Sequence, residues 1–285
     1  MSATIIDGKE VAARVRGEVA REVAAFRERT GKAPGLATIL VGDDPASAVY
    51  VANKRKACAE VGIVDFHQHL PDEASQDDVA AVIEDANGNP EVSGILLQLP
   101  VPKGMNGKEL TALIEADKDV DGLTHVSAGR LVQGAPGLRP CTPLGVIELL
   151  DAYSVALEGA EAVIVGRSDL VGKPVSFLLL ERHATVTICH SRTRDLAGVC
   201  SRADVLVGAI GRAEMIGPEF VKQGAAVIDV GINRTDDGLR GDVQFDAVAA
   251  KAGWITPVPG GVGPMTIAML LRNTVAAAAL QLGSH

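Results

Sequence analysis

The chain has 285 residues, of which 47% are hydrophobic and only 3% aromatic, and it carries a formal net charge of -9. This length and hydrophobic content can fill two buried cores, which excludes an intrinsically disordered chain. The negative charge argues against non-specific nucleic-acid binding but says nothing about small ligands. Abundant Val, Ala, Leu, Ile and Gly with few aromatic residues favour an α/β fold, in which helices cover both faces of parallel strands.

Residues 1–7 lack the basic region and apolar core of a secretory signal, and we expect no stretch long enough to span a membrane. We therefore expect a cytoplasmic protein. The four cysteines show neither CxxC spacing nor a histidine at metal-ligand spacing, so we predict buried thiols, with no metal site and no disulfide framework. They are Cys58, Cys141, Cys189 and Cys200.

The first half of the chain alternates helix and strand signals. A helix is indicated where apolar residues recur every three or four positions, and a buried strand where a short run is apolar throughout. The predicted elements are a helix over 11–26, a strand over 36–41, a helix over 47–61 ended by Gly62, a strand over 64–70, a helix capped at 75–78 and a strand over 94–99. The order is β-α-β-α-β after the first helix.

Tyr50 and Lys54 are four residues apart in one predicted helix, which puts a phenol and an amine on the same helix face. The simpler interpretation is a solvated face, because Lys54 begins a run of three basic residues. Gln98 interrupts an apolar strand at its carboxyl end, where open α/β sheets bind ligands. A buried amide there needs partners, which are either the neighbouring backbone or Lys54.

The second half of the chain repeats the alternation and predicts a second parallel sheet. The predicted elements are a helix capped by Thr142 with Pro143 in its first position, strands over 162–166, 184–189, 204–209 and 225–230, and an apolar C-terminal helix from Pro264. We expect that last helix to fold back onto the first domain. The predicted domains are therefore 1–140 completed by 264–285, and 141–263.

The loop over 166–174 follows a predicted strand and precedes a predicted helix over 175–182, with Pro174 suited to the first helical position. Free amides and the positive end of the helix dipole favour a diphosphate there, and glycine lets the backbone approach it closely. The spacing departs from G-x-G-x-x-G, because Ser168 and Val171 occupy the second and third glycine positions. A plain strand-to-helix turn is therefore the alternative.

The end of the next predicted strand indicates which dinucleotide is bound. NAD enzymes usually carry an acid there for the ribose hydroxyls, whereas this chain continues with Ser191, Arg192, Thr193 and Arg194. A hydroxyl and two guanidinium groups suit a 2′-phosphate, which a carboxylate would repel. The sequence predicts NADP rather than NAD.

Six segments together resemble one family, the bifunctional methylenetetrahydrofolate dehydrogenase/methenyltetrahydrofolate cyclohydrolases of the bacterial FolD type. The segments are 50–54 (Tyr-x-x-x-Lys), 97–100 (Leu-Gln-Leu-Pro), 118–122 (Lys-Asp-Val-Asp-Gly), 166–168 (Gly-Arg-Ser), 229–233 (Asp-Val-Gly-Ile-Asn) and 259–266 (Pro-Gly-Gly-Val-Gly-Pro-Met-Thr). The resemblance spans nearly the whole chain and implies a two-domain α/β enzyme with a folate-binding domain and a Rossmann-like NADP-binding domain.

The resemblance also implies roles for individual residues. It makes Lys54 the central catalytic group, with Gln98 positioning it, Tyr50 stacking on or orienting the folate, and Asp121 binding the pterin. It further implies substrate contacts at Pro100, Gly260 and Gly261, and NADP contacts at Gly166, Arg167, Ser168, Gly172, Ser191, Arg192 and Ile232. It implies a homodimer through the nucleotide domains.

The sequence departs from the common family pattern after Gly122, where many relatives carry an aromatic residue and His-Pro. This chain reads Leu-Thr-His-Val-Ser over 123–127, and we expect His125 to be structural. Short-chain dehydrogenases also use Tyr-x-x-x-Lys, but their nucleotide loop comes first in the chain. Two alternatives remain: a shikimate-dehydrogenase-like oxidoreductase, and a non-catalytic NADP-binding sensor.

Overall fold

The structure, a computed structural model, describes residues 3–236 and 238–283. In chain order the elements are β1 (Thr4–Ile5), α1 (Gly8–Thr30), β2 (Gly35–Val41), α2 (Pro45–Val61), β3 (Val64–Asp65), β4 (Gln68–Leu70), α3 (Gln76–Gly88), β5 (Gly94–Leu97), α4 (Gly107–Ala112), α5 (His125–Val132), α6 (Cys141–Ala152), β6 (Glu161–Val165), α7 (Gly172–Glu181), β7 (Thr185–Cys189), α8 (Leu196–Cys200), β8 (Val205–Gly208), a 3₁₀ turn (Pro218–Phe220), β9 (Ala226–Asp229), β10 (Asn233–Thr235), β11 (Gly238–Arg240), α9 (Phe245–Ala249), β12 (Trp254–Ile255) and α10 (Val262–Gly283).

The chain divides into two compact units, which we name by their main sheets. The four-stranded unit comprises Arg14–Cys141 and Ile267–His285, and the six-stranded unit comprises Met1–Ala13 and Thr142–Thr266. Both main sheets are parallel, which confirms the predicted α/β class.

The four-stranded unit is organised around β2. All seven residues of β2 are buried, as expected for a parallel strand covered on both faces. β5 pairs with it along one edge, and β3 and β4 pair with successive parts of the other edge. The single strand predicted over 64–70 is thus two short strands, interrupted at Phe66 and His67.

Helix α2 ends and helix α3 begins at the predicted signals, whereas α2 begins at Pro45, two residues before the predicted start. Asp44 caps α2 by accepting the Ser47 N–H at 2.8 Å, and Gly62 ends it in the left-handed conformation, with φ of 84°. Ser75 and Asp78 form a capping box at the start of α3. Local sequence therefore sets the end of α2 and the start of α3.

The six-stranded sheet has the order β1-β12-β9-β8-β6-β7, with every pairing parallel. The predicted strands of the second half are β6, β7, β8 and β9. Sequence reasoning missed β1 and β12, because each has only two residues. The N-terminal residues depart from the expected 1–140 domain, because β1 pairs with β12 and so extends this sheet.

Helix α6 begins at Cys141, one residue before the predicted cap. The Thr142 hydroxyl forms a hydrogen bond with the hydroxyl of Thr266 at 2.9 Å. The interpretation of Thr142 as a helix cap is therefore wrong, because its side chain has a tertiary partner.

Among the described residues, one helix, α10, has the length and the apolar composition needed to cross a bilayer. By these two criteria the expectation that no such stretch exists is wrong. Of its most apolar part, 56% is buried inside the protein. A buried core helix passes the same test, so this is weak evidence for a membrane span. Asn273, in the middle of α10, donates to the carbonyls of Val120 and Arg139, both at 2.8 Å.

Lys118 is a buried cation that serves the helix packed beside it. Its ammonium donates to three carbonyls at the carboxyl end of α3, those of Ala86, Asn87 and Asn89, at 2.7 to 3.1 Å. The last carbonyls of a helix have no partner within the helix and carry partial negative charge. Lys118 satisfies them, and this fixes the segment that leads to Asp121.

Replacing Lys118 with Met should lower the free energy of unfolding by about 3 kcal/mol or more, because it leaves three carbonyls unsatisfied. Urea unfolding of the two proteins measures the difference. Lys103→Met is the control, since Lys103 is exposed and its replacement should change little. Equal losses in the two variants would contradict the capping role.

Candidate active site

Lys54 and Gln98 meet in the four-stranded unit. Lys54 lies on α2, and its Nζ donates to Gln98 Oε1 at 3.0 Å. Gln98 follows directly after β5, and its Nε2 donates to the carbonyl of Leu99 at 2.7 Å. The predicted contact is present, so the interpretation of Lys54 as part of a solvated face is wrong. Gln98 thus has both of the partners considered for it, Lys54 and the neighbouring backbone.

Asp121 reaches the same end of the sheet by a neighbouring path. Residues 118–120 run beside β5, with a parallel bridge between Ile95 and Asp119. Gln98 and Asp121 therefore follow two adjacent parallel segments at their carboxyl ends, the edge where α/β sheets bind ligands. Asp121 and Lys54 interact electrostatically.

Burial changes the protonation equilibria of this cluster. Burial lowers the pKa of the Lys54 ammonium from its ordinary 10.5, and the Asp121 charge opposes this. Burial also raises the pKa of Asp121 above 3.8, while the Lys54 charge opposes that rise. A partly desolvated amine is thereby held beside a carboxylate, and it can exchange a proton more readily than an exposed lysine.

Tyr50 lies one turn before Lys54 on α2 and is 46% exposed. Such a ring offers an accessible surface on which a flat ligand can stack. Pro100 follows Gln98 after a cis peptide bond between Leu99 and Pro100. Both residues therefore flank the Lys54–Gln98 pair along the chain, on α2 and after β5.

In the six-stranded unit, Gly166 follows β6 with φ of 139°. A Cβ at Gly166 would lie 2.1 Å from the Ala209 carbonyl oxygen, and one at Gly172 would lie 2.4 Å from the Gly166 carbonyl oxygen. Both positions therefore require glycine. The Ser168 hydroxyl accepts the N–H groups of Val171 and Gly172 at the start of α7, so serine supplies the turn where the common motif has glycine.

This turn leaves donors for an anion. Within residues 3–236 and 238–283, the backbone N–H groups of Arg167 and Ser168 donate to no protein acceptor. They lie just before the amino end of α7, where the helix dipole favours negative charge. Arg167 is exposed. The loop therefore fits a diphosphate.

The turn after β7 presents its basic residues to solvent. His190 N donates to Thr193 Oγ at 2.9 Å, and Arg192 N donates to His190 Nδ1 at 3.1 Å. Ser191 and Arg192 are exposed. In the described part of the chain no hydrogen bond or ion pair engages the Arg192 guanidinium. It is available for a 2′-phosphate.

Ile232, Gly260 and Gly261 line one cavity of about 170 Å³ in the six-stranded unit. Lys9 and Asp229 line it as well; sequence reasoning gave neither a role. Gly260 has φ of 109°, a conformation that favours glycine. The glycine-rich segment and the segment after β9, predicted to bind different ligands, thus meet at one place.

Two family models match the chain. The catalytic-domain model of tetrahydrofolate dehydrogenase/cyclohydrolase matches residues 6–121, and the NAD(P)-binding-domain model of the same family matches residues 140–282. The chain belongs to the tetrahydrofolate dehydrogenase/cyclohydrolase family.

Individual members of the family are similar over their whole length. The bifunctional protein FolD 2 of Frankia alni is 65% identical, over 100% of this chain and 99% of its own. The crystal structure of the bifunctional FolD enzyme from Campylobacter jejuni is 44% identical with a TM-score of 0.95, over 98% of this chain and 100% of its own. The FolD structure from Trypanosoma brucei, complexed with NADP cofactor and inhibitor, is 37% identical with a TM-score of 0.93, over 99% of both chains.

Family membership leaves the atypical segment over 123–127 to be explained by structure. Asp119 is fully buried and accepts the N–H groups of Leu123 and Thr124 at 3.1 and 2.8 Å. Thr124 in turn caps α5 by accepting the Ser127 N–H. His125 is the exposed first residue of that helix. The residues over 123–127 therefore start helix α5 four residues after Asp121.

Sequence reasoning also missed Cys141, which it interpreted only as a buried thiol. Cys141 is 1% exposed, donates to the Val120 carbonyl at 3.2 Å and interacts electrostatically with the Asp121 carboxylate. Nothing in the local sequence links residues 121 and 141, so this contact was not predictable from spacing.

The pKa of Lys54 should lie below the ordinary lysine value of 10.5, because burial disfavours its ammonium form. Replacing Asp121 with Asn should lower the Lys54 pKa further, because it removes a negative charge that favours the ammonium form. NMR titration of ¹³C-labelled lysine side chains measures both values. Asp117→Asn is the matched control and should leave Lys54 unchanged. A Lys54 pKa at the ordinary value of 10.5, or no change in it on replacing Asp121, would contradict this electrostatic description.

Proposed function

We propose that this protein oxidises 5,10-methylenetetrahydrofolate to 5,10-methenyltetrahydrofolate with NADP and then hydrolyses the product to 10-formyltetrahydrofolate. It thus interconverts folates in one-carbon metabolism. The observation that carries the proposal is the contact between Lys54 and Gln98, with Asp121 in electrostatic contact with the same amine. These three residues occupy the positions that the resemblance marked as catalytic.

The dehydrogenase step removes a hydride from the methylene carbon. The two folate nitrogens stabilise the resulting cation with their lone pairs, so the protein needs no strong base for this step. NADP, when bound, supplies the hydride acceptor. The contribution of the protein is to hold the reacting carbon in position, and we assign this to Tyr50, Gln98, Pro100 and Asp121. Gly260 and Gly261, in the six-stranded unit, stay predicted substrate contacts.

The cyclohydrolase step requires proton transfers. Water adds to the methenyl carbon and loses a proton, the bond from that carbon to N5 breaks, and N5 gains a proton. A second proton leaves the hydroxyl as the formyl group forms, so one proton is released overall. Lys54 can accept the first proton as an amine and return it to N5 as an ammonium, since burial lowers its pKa.

Asp121 is proposed to recognise the pterin ring. A carboxylate can accept paired hydrogen bonds from an exocyclic amino group and a ring N–H. The nearby Lys54 charge favours the ionised form of Asp121 that this requires. The same charge pair would thus orient the substrate and the proton-transfer group relative to each other.

The NADP site is proposed in the six-stranded unit. Gly166, Arg167, Ser168 and Gly172 would hold the diphosphate at the start of α7. Ser191 and Arg192 would bind the 2′-phosphate with a hydroxyl and a guanidinium, and Ile232 would contact the nicotinamide half. Two observations support this assignment: among residues 3–236 and 238–283, the loop amides of Arg167 and Ser168 have no acceptor and the Arg192 guanidinium has no partner.

The remaining expectations are proposals as well. We propose that the folate domain is built on the four-stranded unit and the NADP domain on the six-stranded unit. We propose a cytoplasmic location and a homodimer formed through the nucleotide domains, to be measured by light scattering.

One coupled assay tests the proposed function. Methylenetetrahydrofolate is added with NADP or NAD, and absorbance follows the formation and decay of the methenyl product. The proposal expects NADP-dependent formation and then hydrolysis. Binding of NADP without any absorbance change would identify a sensor, and equal use of NAD would refute the cofactor preference.

Lys54→Met should abolish measurable cyclohydrolase activity, because general acid-base catalysis contributes about 10²- to 10⁴-fold and Met cannot transfer a proton. Circular dichroism should show an unchanged fold. Lys56→Met is the matched control on the same helix and should retain activity, because Lys56 is exposed. Near-normal hydrolysis by Lys54→Met would end the assigned role.

Arg192→Gln should weaken NADP binding by about 1.5 to 3 kcal/mol, the usual worth of a hydrogen bond to a charged group. NAD binding should not change, because NAD lacks the 2′-phosphate. Fluorescence titration with each cofactor gives the two dissociation constants. Parallel weakening of both cofactors would show that Arg192 acts on the shared part of the dinucleotide instead.

A further inference from the structure

Two buried carboxylates, Asp229 and Asp242, lie together at the carboxyl end of the six-stranded sheet. They are 3% and 0% exposed. Asp229 Oδ1 accepts the backbone N–H of Asp242 at 2.9 Å, so the two residues are in direct contact. Within residues 3–236 and 238–283 neither forms an ion pair. Two buried acids without a cation are costly unless N–H donors surround them.

The donors come from three separate segments. Asp229 accepts the backbone N–H groups of Gly231 and Val243, both at 2.9 Å. Asp242 accepts the backbone N–H groups that follow β8 and the side-chain amide that follows Ile232. These donors are Ile210 at 2.6 Å, Gly211 at 3.0 Å, Arg212 at 2.9 Å and Asn233 Nδ2 at 3.0 Å.

The backbone is shaped to fit these carboxylates. A Cβ at Gly231 would lie 2.3 Å from the Asp242 carboxyl group, and one at Gly241 would lie 1.8 Å from Asp229 Oδ2. Both glycines are therefore needed for the close approach of the acids. Burial raises the pKa of Asp229 to about 6, and Asp242 adds to this rise against the backbone donors.

Ile232 lies between two of these bonds. Gly231 N is held by Asp229, and Asn233 Nδ2 is held by Asp242. Ile232 itself is 49% exposed and lines the cavity shared with Gly260 and Gly261. An exposed apolar side chain fixed on both flanks by buried acids is suited to contact a flat ring.

The sheet order shows which half of the cofactor these segments would meet. The proposed diphosphate loop follows β6, and the proposed 2′-phosphate turn follows β7 at the sheet edge. The loops after β8 and β9 lie on the other side of β6. A dinucleotide that crosses the sheet at β6 therefore has its nicotinamide half over the loops after β8 and β9.

We infer that Asp229 and Asp242 form a positioning pair that fixes Ile232 and the loop over 210–212 against the nicotinamide half of NADP. The inference rests on the proposed function and deepens it. The pair acts through the loops that its hydrogen bonds hold. The adenosine half of the cofactor, bound beyond β6, does not depend on it.

Asp242→Asn tests the inference. Either orientation of the new amide loses acceptor bonds from two donors, so the loops should loosen. At about pH 8, where Asp229 is ionised, the dissociation constant for NADP should rise about tenfold or more. The affinity for 2′,5′-ADP, which lacks the nicotinamide half, should change less than about twofold. The KM of the dehydrogenase for NADP should rise, and its kcat should fall.

Asn233→Ala is a milder second variant, because it removes only one of the four donors to the Asp242 carboxylate. It should weaken NADP binding in the same way but by a smaller factor. Asp204→Asn is the matched control, because Asp204 accepts the Glu161 N–H at the opposite end of the same sheet. Asp204→Asn should leave the affinities for NADP and for 2′,5′-ADP unchanged. Cyclohydrolase activity, which depends on Lys54, should persist in all three variants.

Equal weakening of NADP and 2′,5′-ADP would overturn the inference, since it would show a general structural role. Unchanged NADP binding in both Asp242→Asn and Asn233→Ala would overturn it as well. Dehydrogenase activity of the unsubstituted enzyme tests the proposed function separately. Failure of the inference would thus appear in the ligand affinities of the variants, and failure of the proposed function in the activity of the unsubstituted enzyme.

Discussion

The proposed chemistry depends on one constraint: the amine of Lys54 is held partly out of water, in contact with Gln98. An exposed lysine at neutral pH is an ammonium that rarely gives up its proton. Burial shifts this equilibrium toward the amine, and the Asp121 charge limits the shift. The cluster therefore keeps both protonation states of Lys54 within reach, as a group that first accepts and then donates a proton requires.

Other buried polar groups keep this cluster in place. Lys118 ties the segment before Asp121 to the end of α3, and Asp119 orders the chain after it. Asn273 on α10 holds the Val120 carbonyl. Such groups are costly to bury unless their hydrogen bonds are satisfied. Here satisfied bonds converge from elements distant in sequence, which fixes Asp121 more firmly than apolar packing alone.

The sequence predicted those parts of the molecule whose causes are local. The absence of Pro and Gly over 47–61 and the stop at Gly62 predict α2, and the capping residues 75–78 predict the start of α3, so Tyr50 and Lys54 were placed on one helix face correctly. The parallel order of the strands followed from alternation. By contrast, the pairing of β1 with β12 and the contact of Cys141 with Asp121 depend on tertiary packing. No spacing rule encodes such contacts, and two-residue strands carry too little pattern to recognise.

Chemical rescue of Lys54→Ala tests most directly whether Lys54 transfers the proton. Small primary amines should restore hydrolysis of methenyltetrahydrofolate in proportion to their concentration, with a rate that varies with the pKa of the amine. Tetramethylammonium, a cation without a transferable proton, should have no effect. Equal rescue by tetramethylammonium would show that Lys54 supplies only charge, and this would contradict the assignment of Lys54 as the proton-transfer group.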